Sequence, residues 1–262
     1  MRDHLIQTAR KLRLSGLLQT LDVRLQEARA NQLAHEEFLT LLFQDEINIR
    51  NQRLMAKRKK TADFRDTRSL EDFDWNFNPS IPKRDIFQLA TADFIRQGRD
   101  VLFIGPPGTG KSHLAQAIGM AAIRAGMIVL YRSIFDIVRD LFQDENLHGS
   151  TRLLEHYLKP DLLIIDDMGL KTLPPKSGEH LFEIIMRRHE KRSTLMTSNR
   201  PLEEWGKLLL DVPATTAILD RFLQHAQLIQ FKGRSFRLKH HGENKEPSPV
   251  PSSLQTHPAT LE

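Results

Sequence analysis

Apolar residues in the first quarter of the chain recur at three- and four-residue intervals. Leu5, Ala9, Leu12, Leu17, Leu21 and Leu25 form one series; Phe38, Leu41, Leu42 and Ile49 form another, with Asp45 on the same stripe. This period predicts amphipathic helices, broken near Ser15-Gly16 and near Asn31. No proline occurs before Pro79. The stretch "FDWNFNPSIPKRD", Phe73 to Asp85, reads as a linker in which Trp75 and Phe77 are packing anchors. From Asp85 onward short apolar runs alternate with helical patterns. The reading is helix 86–97, strand 101–104, helix 111–125, strand 127–131, helix 134–142 and strand 161–166. Helix 178–190, strand 194–198, a helix near 215–225 and strand 227–231 follow. Such alternation predicts an α/β fold, a parallel sheet sandwiched by helices. The expected organisation is a small all-helical N-terminal domain (1–68), a linker (69–84), an α/β domain (85–240) and a polar Pro/Ser-rich tail (241–262) expected to be disordered.

Charge sharpens this division. The 262 residues carry a net charge of +5, and residues 1–68 hold 14 Lys/Arg against 9 Asp/Glu. The whole excess therefore sits in the helical quarter, which points to a polyanionic partner. Its densest part is Arg50, Arg53, Lys57, Arg58, Lys59 and Lys60, of which Arg50, Arg53 and Lys57 share a helical face. There is no cysteine, so disulfides, thiolate metal sites and cysteine nucleophiles are excluded. No apolar run approaches the roughly 18 residues of a membrane span, and the N-terminus lacks the apolar core of a secretory signal. A cytoplasmic location without membrane contact is the expectation.

The chemistry concentrates in "DVLFIGPPGTGKSHLAQAIG", Asp100 to Gly119. An apolar strand runs into G-x-x-x-x-G-K-S, Gly105 to Ser112, and an amphipathic helix follows. The glycines let several backbone N–H groups converge at a helix N-terminus, an anion site. Gly105, Pro106, Pro107, Gly108, Thr109, Gly110, Lys111, Ser112 and His113 are thus the candidate nucleotide cradle. Lys111 is placed for the β- and γ-phosphates and the Ser112 hydroxyl for Mg²⁺. A phosphate loop calls for an acidic strand end, which "DLLIIDDMG", Asp161 to Gly169, supplies. Asp166 is expected to hold magnesium and Asp167 to orient or deprotonate the attacking water. Between the two motifs there is room for an extra helix–strand unit, the mark of P-loop enzymes with an added central strand. "STLMTSN" ends the next strand, and Asn199 is the candidate sensor of the γ-phosphate. Arg221, in "AILDRFLQHA", is a candidate finger in trans; a surface pair with Asp220 is the alternative. Lys171 and Lys176, after the acidic strand, are further candidate phosphate-backbone contacts.

Taken together, "GPPGTGKSHLAQAIG", "DLLIIDDMGL", "TSNRPLEEWG" and "AILDRFLQHA", with a helical module beginning near "TARKLRLSGL", resemble AAA+ ATPases of the IstB type. These are ATP-dependent helpers of bacterial transposases, related to the DnaC helicase loader. The resemblance implies a Rossmann-like AAA+ core, ATP-driven homo-oligomers, sequence-tolerant binding of duplex DNA, delivery of that DNA to a transposase and stimulation of it. It assigns Lys111, Ser112, Asp166, Asp167, Asn199 and Arg221 the roles given above. A replicative helicase loader is the alternative reading. Many AAA+ proteins carry glutamate where Asp167 stands. The aspartate arm is shorter by about 1.5 Å, one C–C bond, which implies slow hydrolysis. After the last core strand "FKGRSFRLKHH" is too short for a helical lid, leaving Arg234 or Arg237 as candidate second sensors.

Overall fold

The computed structural model describes residues 2–146 and 151–238; the expected tail, 241–262, lies outside them. Three helices come first: α1 (Arg2–Lys11), α2 (Ser15–Ala30) and α3 (His35–Ala62). Their breaks fall where the sequence places them. The apolar core between α2 and α3 is small: Leu17, Leu21 and Leu42, flanked by Leu14, Leu18, Leu25 and Phe38. Two buried carboxylates of α3 complete it. Glu46 accepts the backbone N–H groups of Gly16 (2.6 Å) and Leu17 (2.8 Å). It so satisfies first-turn donors of α2 that have no partner within their own helix. Asp45 accepts two bonds from Arg24, each 2.8 Å. These bonds pull the Asp45 carboxyl down to about 2. An acid on an apolar stripe is thereby explained: it faces the fork of a half-buried arginine.

The sheet has five parallel strands, β1 (Val101–Ile104), β2 (Val129–Ser133), β3 (Leu162–Met168), β4 (Ser193–Ser198) and β5 (Gln227–Gln230), in the order β2-β3-β4-β1-β5. β4 lies between β1 and β3, so the added central strand is present. Side chains alternate between two cores, as the pleat requires. Val101, Phe103, Tyr131, Ile164 and Leu195 face one cluster; Leu102, Leu130, Leu163, Ile165 and Met196 face the other. The first is covered by α4 (Lys83–Ala90), α5 (Asp93–Arg96) and α6 (Lys111–Arg124). The second is covered by α7 (Ile134–Asn146), α8 (Thr151–Leu158), α9 (Ser177–Arg188), α10 (Trp205–Leu209) and α11 (Val212–His225).

Several expectations need correction. Helix 86–97 is two helices, because Ala92 takes a left-handed turn at φ 64°. β2 begins two residues later than expected, and α7 extends four residues further, to Asn146. α8 and α10 were not anticipated. In the linker, by contrast, the anchoring role expected of Trp75 is observed. Leu70 and Ile81 are buried in the first core, and Phe73 and Trp75 pack against it. α3, 28 residues and about 42 Å long, packs directly on β2 and α6. No helix among the described residues is long and apolar enough to cross a membrane.

Candidate active site

The strand order puts the ends of β1, β4 and β3 side by side, at the carboxyl edge where open α/β sheets bind ligands. A cavity of about 430 Å³ opens there. Its floor is the loop between β1 and α6. Gly108 (φ 78°) and Gly110 (φ 103°) take left-handed conformations that turn the chain into α6 at Lys111. Space demands glycine as well. A Cβ at Gly108 would lie 2.0 Å from Ser235 Oγ, and one at Gly110 would lie 2.6 Å from the Phe73 ring. Lys111, 5% exposed, donates from Nζ to the carbonyls of Gly105 and Pro106, 2.7 Å each. Burial pushes its ammonium down to about 8; Arg237 adds to the push, and Asp166 and Asp167 oppose it.

Asp166 is fully buried at the end of β3. It accepts hydroxyl hydrogen bonds from Ser112 (2.9 Å), Tyr131 and Thr197. Three donors satisfy a charge that burial alone would make costly. Ser112 Oγ and the Asp166 carboxylate make an all-oxygen donor pair that suits magnesium. Asp167 poses a geometric problem, since successive residues of a strand point to opposite faces. The chain solves it with an irregularity: the β3–β4 register shifts between Ile165 and Met168, and Asp167 takes φ 66°. Such bulges re-aim side chains beside functional sites. Both carboxylates consequently line one cavity. Asp167 accepts an ion pair from Arg65 at 2.7 Å.

The cavity brings together Pro107 to His113, Asp166, Asp167 and Asn199. Gly105 and Pro106 do not line it; Gly105 joins the loop to the sheet through its N–H bond to the Ser198 carbonyl (3.1 Å). His113 donates from Nε2 to the Ser69 carbonyl (3.0 Å) and meets Phe73 edge-on. Arg237 lines the cavity, whereas Arg234 is not among its lining residues; its backbone N–H bonds Asn78. Arg221 is exposed on α11, outside the cavity.

The basic candidates divide. Arg50 pairs with Glu46 and donates to the Arg13 carbonyl (2.9 Å), and Arg53 donates to Ser15. Both fasten α3 to the start of α2. Arg58 is half-buried near Gly126. Lys57, Lys59 and Lys60 stay exposed, as do Lys176 and Lys171, the latter over the Phe135 ring at 5.1 Å. Sequence reasoning missed Tyr131 and Thr197, which hold Asp166, and Arg65, which reaches Asp167. Thr197 stood in the polar strand end already noted; Tyr131 and Arg65 carry no local signal.

Comparison with known proteins gives the family and the fold. The family model described as "IstB-like ATP binding protein" matches residues 7–244. An ATP-binding protein of insertion sequence IS5376 from Geobacillus stearothermophilus is 33% identical over 239 residues, 91% of this chain and 95% of that protein. Its counterpart in insertion sequence IS21 of Pseudomonas aeruginosa is 34% identical over 229 residues, 87% of this chain and 86% of that protein. Among solved structures, AMPPCP-bound DnaA from Aquifex aeolicus aligns over 69% of this chain and 55% of its own, with TM-score 0.54 and 21% identity. The DnaC helicase loader aligns over 60% of this chain and 98% of its own, with TM-score 0.50 and 22% identity. The sheet with its helices is thus an AAA+ P-loop core behind a helical N-terminal region, and the chain belongs to the IstB-like ATP-binding protein family.

Proposed function

We propose that the chain is an ATP-dependent helper of a transposase. In this reading it binds duplex DNA without strong sequence preference and forms homo-oligomers on it with ATP. It then delivers that DNA to the transposase and stimulates it. The observation that carries the reading is structural continuity: the helix bearing Lys57, Lys59 and Lys60 packs on β2 and α6, and Arg65, just past its end, lines the cavity that holds Lys111, Ser112, Asp166 and Asp167. A nucleotide in the cavity and a polyanion on α3 would therefore act on one mechanical unit. The kinship with insertion-sequence proteins favours a transposase over a replicative helicase as partner.

In the reaction, Lys111 exchanges its two loop carbonyls for phosphate oxygens, and the α6 N-terminus adds its positive end. Ser112 and Asp166 would hold magnesium, which when bound would supply positive charge to the phosphates. Asp167 orients the attacking water and takes its proton, and Asn199 senses the γ-phosphate from the end of β4. Arg221, exposed, is free to reach a neighbouring subunit's nucleotide. Arg237 supplies a second positive charge in cis. Lys57, Lys59 and Lys60 contact phosphate backbone, which positions the protein and reads no bases.

The test is a mobility shift with plasmid-length duplex, with and without ATP. The expected result is tighter binding with ATP, lost when Lys57, Lys59 and Lys60 are reversed to glutamate. Affinity indifferent to both changes would refute the reading. Pull-down against a transposase and a hexameric helicase separates the helper from the loader.

A further inference from the structure

Four consecutive residues past the end of α3 are each fastened to the ATPase core. Asp63 turns the chain at φ 55° and pairs with Arg132 of β2 at 2.7 Å. Phe64 lies against the Tyr131 ring (6.0 Å between centroids) and over Gly119 of α6, where a Cβ would stand 2.9 Å from it. The Arg65 guanidinium sits over the Tyr131 ring at 5.9 Å and donates to Asp167 at 2.7 Å. The Asp66 N–H bonds Gln116 Oε1 of α6 at 3.1 Å. Three of these anchors fix the backbone on both sides of Arg65. Only Arg65 reaches the strand end where Asp167 stands.

We propose that Arg65 is a cis brake on hydrolysis, its guanidinium occupying the Asp167 carboxylate and so keeping it from the attacking water. The proposal rests on the reading of Asp167 as the group that activates water. A carboxylate oxygen already bonded to a guanidinium is one oxygen fewer to orient a water. Arg65 lies five residues beyond Lys60, across the end of α3. Residues 63–66 therefore join the basic end of α3 both to this pair and to Tyr131, which lines the cavity. The strength of the brake is limited by the pair itself. The Arg65 side chain is 51% exposed, and Asp167 17%. Half-exposed ion pairs favour the closed state by about two- to fivefold. The device therefore slows turnover and does not switch it off.

The experiment measures steady-state phosphate release by the full chain, with and without duplex DNA, for wild type, Arg65→Ala, Arg65→Lys and Lys111→Ala. The expected result for Arg65→Ala without DNA is a kcat raised about two- to fivefold with KM for ATP unchanged. Stimulation by DNA should shrink by the same factor. Arg65→Lys, which keeps the charge, should stay near wild type. A kcat for Arg65→Ala equal to or below wild type overturns the brake, and a lower one makes Arg65 a group that assists the reaction. Release unaffected by Lys111→Ala would instead overturn the underlying assignment of the site, and the brake with it. A circular-dichroism melt identical to wild type certifies that the variant is folded. Should Arg65→Ala melt lower, Arg65→Gln gives the same readout with less loss of packing.

Discussion

The helical module and the sheet domain are built on different physics. The sheet is held by two apolar clusters in which residues such as Leu102, Phe103, Leu163 and Ile164 are wholly buried. The module has three buried leucines between α2 and α3 and leans on charge: Glu46 on the start of α2, Arg24 on Asp45, and Arg50 and Arg53 across the junction. Hydrophobic burial is non-directional and involves no titrating group, whereas ion pairs are directional and depend on pH. The lesson is that the nucleotide site rests on a rigid platform and the basic arm on an adjustable one. Arg65 sits where the two meet.

Each half of that contrast can be attacked. The largest effect is expected from Ile164→Ala, at a wholly buried position of β3: a loss of about 2–5 kcal/mol in denaturant unfolding. A loss below about 1 kcal/mol would deny the sheet its place as the platform. Glu46→Ala comes next, leaving the Gly16 and Leu17 N–H groups without their partner at a cost of about 1–3 kcal/mol. Hydrogen exchange should place the resulting opening in α1 and α2, with the sheet still protected. Opening spread evenly over the chain would merge the two regions.

The smallest effect is set by acid. The folded Asp45 carboxyl titrates at about 2, below its ordinary value of 3.8. A depressed acid contributes stability that is complete above the unfolded value and is lost as pH falls through the folded one. The module should therefore loosen between about pH 4 and pH 2, and Asp45→Asn should flatten that slope. Exchange rates in α2 that ignore pH over this window would contradict the role given to the Arg24 pair.

Much of this was legible in the sequence, and the exceptions share a cause. The phosphate loop, the acidic strand end and the added central strand are written in local patterns, because a glycine turn and an apolar strand are short-range objects. The break at Ala92 was invisible, since neither glycine nor proline marks it. α10 escaped because five residues, Trp205–Leu209, are too few for a period to register. Tyr131 and Thr197 converge on Asp166 only once strands distant in sequence pair up. The same holds for Arg65 and Asp167, 102 positions apart. The basic patch was read as one surface, and the structure adds that Arg50 and Arg53, though exposed, also bond the Arg13–Ser15 junction. A helical period fixes which residues share a face but not what that face meets.

In the function proposed, Lys111, Ser112 and Asp166 hold a magnesium-bound triphosphate in one cavity. Titration calorimetry of the full chain with a non-hydrolysable ATP analogue and Mg²⁺ tests it most directly. Uptake at one site per chain is expected, abolished by Lys111→Ala and weakened when Mg²⁺ is chelated or Asp166 is changed to Asn. No uptake by the wild-type protein, or uptake indifferent to Lys111→Ala, would contradict it.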